Sequence, residues 1–213
     1  LFPDKKQEVN IIKQRKWTIN PLKVYIAPLK FAGYAELESL YKNMIFHAFN
    51  TWANASGNVL NFEITDNLID SNINIDWKKV NEKALGHCYF GWDSKGRLYS
   101  AEIAIGLFAD RISGVDYEKE VYHTILHCIG IALGLPQTNN TDDIMCNPHQ
   151  YEKIELSEND KKAIYDLYRE FDPEIKAFIE KIKKENFWDD VHYFKKWNGY
   201  HAFVVGMDGS KGD

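Results

Sequence analysis

The chain has 213 residues, about 1.4 times a typical domain of roughly 150, so one domain with an appendage is expected. A composition of 45% hydrophobic and 27% charged residues with six prolines excludes disorder, collagen-like repeats and low complexity as the main content. A net charge of −5 offers no cationic footprint for a phosphate backbone, and no apolar run approaches the roughly 18 residues of a membrane helix, so neither nucleic acid nor a membrane span is expected.

Residues 1–16 are polar and mildly basic without a sustained period, a lead-in segment. They open Leu1-Phe2-Pro3 with neither Met nor an apolar leader, as expected of a processed or truncated product. Lys23 to Ala27 is a short β-type run between Pro21 and Pro28. From Glu36 to Ala55 the residues Leu37, Leu40, Tyr41, Met44, Ile45, Ala48, Phe49 and Trp52 fall on the i, i+3, i+4 stripe of an amphipathic helix. Alternation follows, with Leu60, Phe62 and Ile64 on one strand face and Ile73, Ile75 and Trp77 on the next. Residues 84–92 and 97–105 read as a hairpin turned by Asp93-Ser94-Lys95-Gly96, with Tyr99, Ala101, Ile103 and Ile105 sharing a face.

Asp116 to Leu133 carries helix punctuation: Asp116 as N-cap, Glu118 and Glu120 in the first turns, Gly134 at C′ and Pro136 beyond. Ile125, Leu126, Cys128, Ile129, Ile131, Ala132 and Leu133 make it apolar nearly all round, so a helix enclosed on most sides, Ile131 included, is expected. Ser157 caps another helix with Ala163, Ile164, Leu167, Tyr168 and Phe171 on its buried face, and Pro173 ends it and opens a last one. The tail from Asn186, with Trp188, Tyr193, Phe194, Trp197 and Tyr200, is expected to pack its rings onto the domain.

The stretch Tyr122-His123-Thr124-Ile125-Leu126-His127-Cys128-Ile129-Gly130-Ile131-Ala132-Leu133-Gly134-Leu135-Pro136-Gln137, followed by Ile144-Met145, resembles the zinc helix and Met-turn of metzincin metalloproteases, specifically the matrixins. The resemblance covers about Trp17 to Tyr168, with Lys23–Ala27 similar to the first strand, Ala48–Trp52 to the end of the first helix and Leu156–Tyr168 to the closing helix. It implies an α/β (α+β) fold: a single zincin/metzincin-like domain over 17–172, with a twisted, mostly parallel mixed sheet, one antiparallel edge strand near Tyr99 to Ile105, an active-site helix, a Met-turn and a C-terminal helix. Residues 173–213 then form a C-terminal helix and aromatic-rich tail. A secreted or extracellular location is implied by the same resemblance.

The family motif H-E-x-x-H-x-x-G-x-x-H binds zinc through three imidazoles and uses the glutamate as general base. Here it reads H-C-x-x-I-x-x-G-x-x-Q: His127, Gly134 and Met145 are kept, while Cys128 stands at the base, Ile131 at the second ligand and Gln137 at the third. Isoleucine has no donor atom and glutamine is a poor zinc ligand, so the resemblance implies a degenerate cleft, no catalytic residue and no cofactor. A displaced site is the competing possibility. His123 and His127 are an i, i+4 pair, with Cys128, Cys146 or His149 as a third ligand, and zinc is the cofactor if it holds. A Cys128–His127 nucleophile pair is disfavoured, because helical neighbours point about 100° apart and an apolar setting raises a thiol pKa.

Three functions stay open on the sequence. The first is a pseudoprotease, natural or engineered, whose former substrate cleft binds an extended peptide or protein segment by β-augmentation. The second is a zinc endopeptidase with an atypical site, and the third an adhesion or structural module that keeps only the fold.

Overall fold

The computed structural model describes residues 15–30, 37–80, 85–108, 115–184, 193–197 and 200–204. The chain divides into two compact units, Leu1–Tyr168 and Arg169–Asp213.

In the first unit the elements run β1 (Leu22–Ile26), α1 (Glu38–Ala55), β2 (Phe62–Ile64), β3 (Ile73–Val80), β4 (Gly86–Trp92), β5 (Leu98–Phe108), α2 (Val115–Ala132) and α3 (Glu158–Tyr168). The sheet order is β2-β1-β3-β5-β4, with β4 antiparallel to β5 and the other pairs parallel. This is the mixed sheet expected.

The apolar stripe of α1 buries Tyr41, Ile45, Ala48, Phe49 and Trp52 as its spacing requires. Ile73, Ile75 and Trp77 are likewise buried on β3. Beyond their area, the large rings carry polar handles that fix the layers: Trp52 Nε1 donates to the Leu126 carbonyl of α2 at 3.0 Å, and Trp77 Nε1 to Ala27 at 2.8 Å.

Four sequence expectations need correction. The edge strand is β4, and the Tyr99–Ile105 run lies inside the sheet between β3 and β4. The physical reason is that β5 is covered on both faces from 103 to 107, with Ile103, Ile105 and Leu107 buried on one and Ala104 and Gly106 on the other, whereas β4 alternates buried-side and solvent-side residues and exposes Tyr89. Ile64, placed with Leu60 and Phe62 on the apolar face of its strand, is 47% exposed because it ends the short edge strand β2, and Tyr99, which shares a face with Ala101, is 64% exposed just past the hairpin turn with its ring over Gly91. Asp116 lies within α2, which already includes Val115. Ile131 is only half-buried, while His123 to Gly130 are all buried.

Ser157 does cap α3. Its hydroxyl accepts from the Asp160 N–H at 3.0 Å and the Asp160 carboxylate accepts from the Ser157 N–H at 3.0 Å, a reciprocal box. Lys16, assigned to the lead-in, is joined to the hairpin: its N–H donates to Gly96 and its carbonyl accepts from Leu98. All three cysteines are free thiols.

The second unit contains α4 (Pro173–Lys184) and an antiparallel pair, β6 (Tyr193–Trp197) with β7 (Tyr200–Val204). The expected packing of the tail's aromatic rings concerns Trp188 and side chains that lie outside the described residues.

Candidate functional site

The site grows from the end of α2. Gly134, at φ +93°, adopts a left-handed conformation that a Cβ would strain. Around it the Gly134 N–H donates to Ile131 at 2.9 Å and the Leu135 N–H to Gly130 at 3.0 Å, the paired bonds of a Schellman stop. The chain therefore turns sharply and sends residue 137 back along the helix it has just left. Gln137 arrives beside His127, with 3.3 Å between their Nε2 atoms. Its other amide atom, Oε1, accepts from Asn147 Nδ2 at 3.1 Å, so the amide presents hydrogens rather than oxygen to the imidazole.

Beneath this point runs the turn at Ile144–Met145. The Asp160 carboxylate accepts from the Ile144 N–H at 2.7 Å and the Met145 N–H at 3.3 Å, and buried Asp143 accepts from Thr138, Asn140 and Ser157. Met145 Sδ and the ring of Trp52 both lie against Gly130, filling space that a side chain at 130 would occupy. Cys128 is turned away from the cleft. Its Sγ lies against β4, 2.9 Å from where a Cβ at Gly86 would stand, and burial pushes its pKa far up. Burial likewise pushes the Cys88 thiol up to about 12.

A second arrangement shares His127. His123, His127 and His149 present ring nitrogens that all lie within 4.8 Å of one another. His123 Nδ1 is 2.7 Å from the Lys153 carbonyl and His127 Nδ1 is 2.7 Å from the Ile144 carbonyl. A carbonyl only accepts, so in both rings Nδ1 carries the proton and Nε2 keeps its lone pair. His149 Nδ1 stands 3.4 Å from His123 Nε2, and the His149 ring meets that of His127 edge-on at 4.3 Å between centroids. Tyr151 stacks on His149 at 5.3 Å. Burial holds His123 and His127 below the ordinary imidazole range, and burial followed by repulsion from His127 brings His149 down to about 4. All three are neutral at pH 7.

The family profile described as matrixin, a peptidase profile, matches residues 16–169. The chain belongs to the matrixin family. No curated protein matches it at a significant level. The match ends one residue beyond the first compact unit.

Matrixin zinc chemistry needs three donors converging on one point. Positions 127, 131 and 137 here offer one imidazole, one hydrocarbon side chain and an amide that turns its hydrogens inward, and this set does not fit a zinc ion. His127, Gln137 and Met145 are brought together, Gly134 makes the turn that does so, and half-buried Ile131 stands on the same helix one turn on. Cys128 is not brought to them. His123 joins His127 as the i, i+4 spacing anticipates, and of the three third partners open on the sequence it is His149 that meets the pair. Cys146 is buried beneath the turn and bridges to Thr138. The carbonyls of Ile144 and Lys153, which orient the two rings, left no signal in the sequence.

Proposed function

We propose that this matrixin-family domain has lost the family's catalytic zinc site and works as a non-catalytic binder of an extended peptide or protein segment in the former substrate cleft. The observation that carries this reading is the meeting of His127 and Gln137 across the Gly134 turn. The backbone devices that shape a matrixin cleft, namely the helix stop, the Met-turn and the closing helix, are intact, while the side chains at the reacting positions supply neither a metal shell nor a base. Cys128 cannot replace the glutamate, since its thiol is buried against the sheet and stays protonated at neutral pH.

Binding of an extended chain is supported by β4. It ends the sheet, so one side of its backbone has no strand partner among the described residues, and exposed Tyr89 and Trp92 rise from it. A secreted setting follows the family habit and belongs to the same proposal; among the described residues no helix is long and apolar enough to cross a membrane.

The test is to present the full chain with a pool of quenched fluorescent peptides, with added zinc or with chelator, and to measure binding of the same pool by fluorescence anisotropy. Saturable binding without hydrolysis in either condition is expected. Hydrolysis that chelator abolishes and zinc restores would overturn the proposal.

A further inference from the structure

We propose that His123, His127 and His149 form a transition-metal site, one helical turn before the family position, that takes a zinc ion. This rests on the reading that the inherited site is lost, because His127 is common to both and its Nε2 lone pair can serve only one centre.

The donor chemistry is that of zinc. Three imidazoles with a fourth position left for water or another small donor are a common zinc shell, and imidazole suits a borderline divalent ion better than calcium or magnesium, which take oxygen. Zinc–nitrogen bonds of about 2.0–2.1 Å in a tetrahedron put the ligand atoms about 3.3 Å apart. His123 Nε2 and His149 Nδ1 are already 3.4 Å apart, and the widest separation within the trio is under 4.8 Å, so closing the shell takes side-chain adjustments of about an ångström.

The surroundings are those of an oriented ligand set rather than of three histidines packed by chance. Two rings lock their Nδ1 protons onto backbone carbonyls, the arrangement that fixes tautomer and ring plane in histidine metal sites, and both thereby leave Nε2 open. The two carbonyls come from the same stretch as the third ligand, Ile144 to Lys153, so one segment supplies His149 and both orienting groups while α2 supplies the pair. His149 is partly exposed, which leaves the centre a path to solvent. Within this frame Gln137 is a competitor. Its amide N–H occupies the His127 Nε2 lone pair that the ion needs.

The experiment uses the full chain, stripped with chelator, dialysed and titrated with zinc chloride. Stoichiometry is read by elemental mass spectrometry and affinity by calorimetry, for the wild type and for H149A, H123Q and Q137A, each checked for fold by circular dichroism. One zinc per wild-type chain is expected, with H149A and H123Q weakened by more than about 100-fold. Q137A should bind as tightly as the wild type or tighter. Cobalt in place of zinc should give visible bands of a low-coordinate nitrogen site without a thiolate charge-transfer band, since the cluster is of histidines alone and the Cys128 sulfur faces β4. Should H123Q fail to fold, H149A alone decides, its side chain being partly exposed. Absence of zinc from the wild type, retention of stoichiometric zinc by H149A, loss of zinc from Q137A or a thiolate band would each overturn the inference. None of these bears on the peptide measurements above, so the two proposals fail separately.

Discussion

The Nε2 atoms of His127 and Gln137 stand 3.3 Å apart although ten residues and a helix end separate them in the chain. That distance is set by backbone, through Gly134, and not by any metal, so the matrixin geometry should accept its ligands back. Combining I131H and Q137H with P136G, in an H149A background that removes the displaced trio and with Cys128 left facing β4, is expected to create stoichiometric zinc binding at 127, 131 and 137. His127 alone has an orienting carbonyl in place, so affinity should fall about 10–100-fold short of a native site. Elemental analysis of a variant that folds and yet holds no zinc would show that the three positions do not converge.

Ile131 and Ile129 separate the cleft side of α2 from its core side. Ile129 is fully buried and Ile131 half-buried. I129D should therefore cost more than about 3 kcal/mol, the penalty of an unpaired carboxylate in a closed core, whereas I131D should cost less than about 1.5 kcal/mol. Urea unfolding of both variants at pH 7.5 makes the comparison.

Tyr168 closes the first unit through one oxygen. Its hydroxyl accepts from the Trp17 N–H at 3.2 Å and donates to the Leu133 carbonyl at 2.6 Å, both buried. Tyr168→Phe strands a donor and an acceptor at once, and a loss of about 1–3 kcal/mol is expected in the same assay. A loss under about 0.5 kcal/mol would mean that water replaces the hydroxyl.

In the metal-free protein the histidine trio should make stability depend on acid. All three folded-state values lie below the ordinary 6.5, His149 at about 4. As pH falls through 6.5 the unfolded chain takes up protons that the folded one refuses, so the unfolded state gains ground. Stability from these groups is complete above pH 7 and drains away between about 6.5 and 4. The urea midpoint in chelator should fall over that window, and H149N should flatten the fall. An unchanged midpoint from pH 7 to 5 would contradict the burial of the trio.

Periodicity was enough to place α1 and α2, because Tyr41, Ile45, Phe49 and Trp52 repeat at helical spacing and Gly134 with Pro136 marks a stop. The position of β5 was equally present but concealed. Following only Tyr99, Ala101, Ile103 and Ile105 suggests one buried face and hence an edge, whereas buried Ala104 and Gly106 on the other face mark a strand covered on both sides. At the site, the helical pair His123 and His127 follows from spacing alone. Choosing His149 over Cys128 and Cys146 does not, because linear order is silent on which side chains turn toward the sheet and which toward the cleft. Cys128 is adjacent to His127 in sequence and opposed to it in space, with Gly86 making the room that lets its sulfur face β4.

The Asp160 clamp has a thermodynamic corollary. Its carboxylate, carried by α3, holds the amides of Ile144 and Met145, so the carbonyl that orients His127 is set by protein contacts alone. An ion arriving there would meet a wall already standing, in contrast to small zinc domains whose binding energy is their folding energy. Little apolar surface would leave water on loading, and calorimetry across several temperatures should return a binding enthalpy with almost no temperature dependence. The metal would then act as a reporter of the cleft's shape and not as its cause.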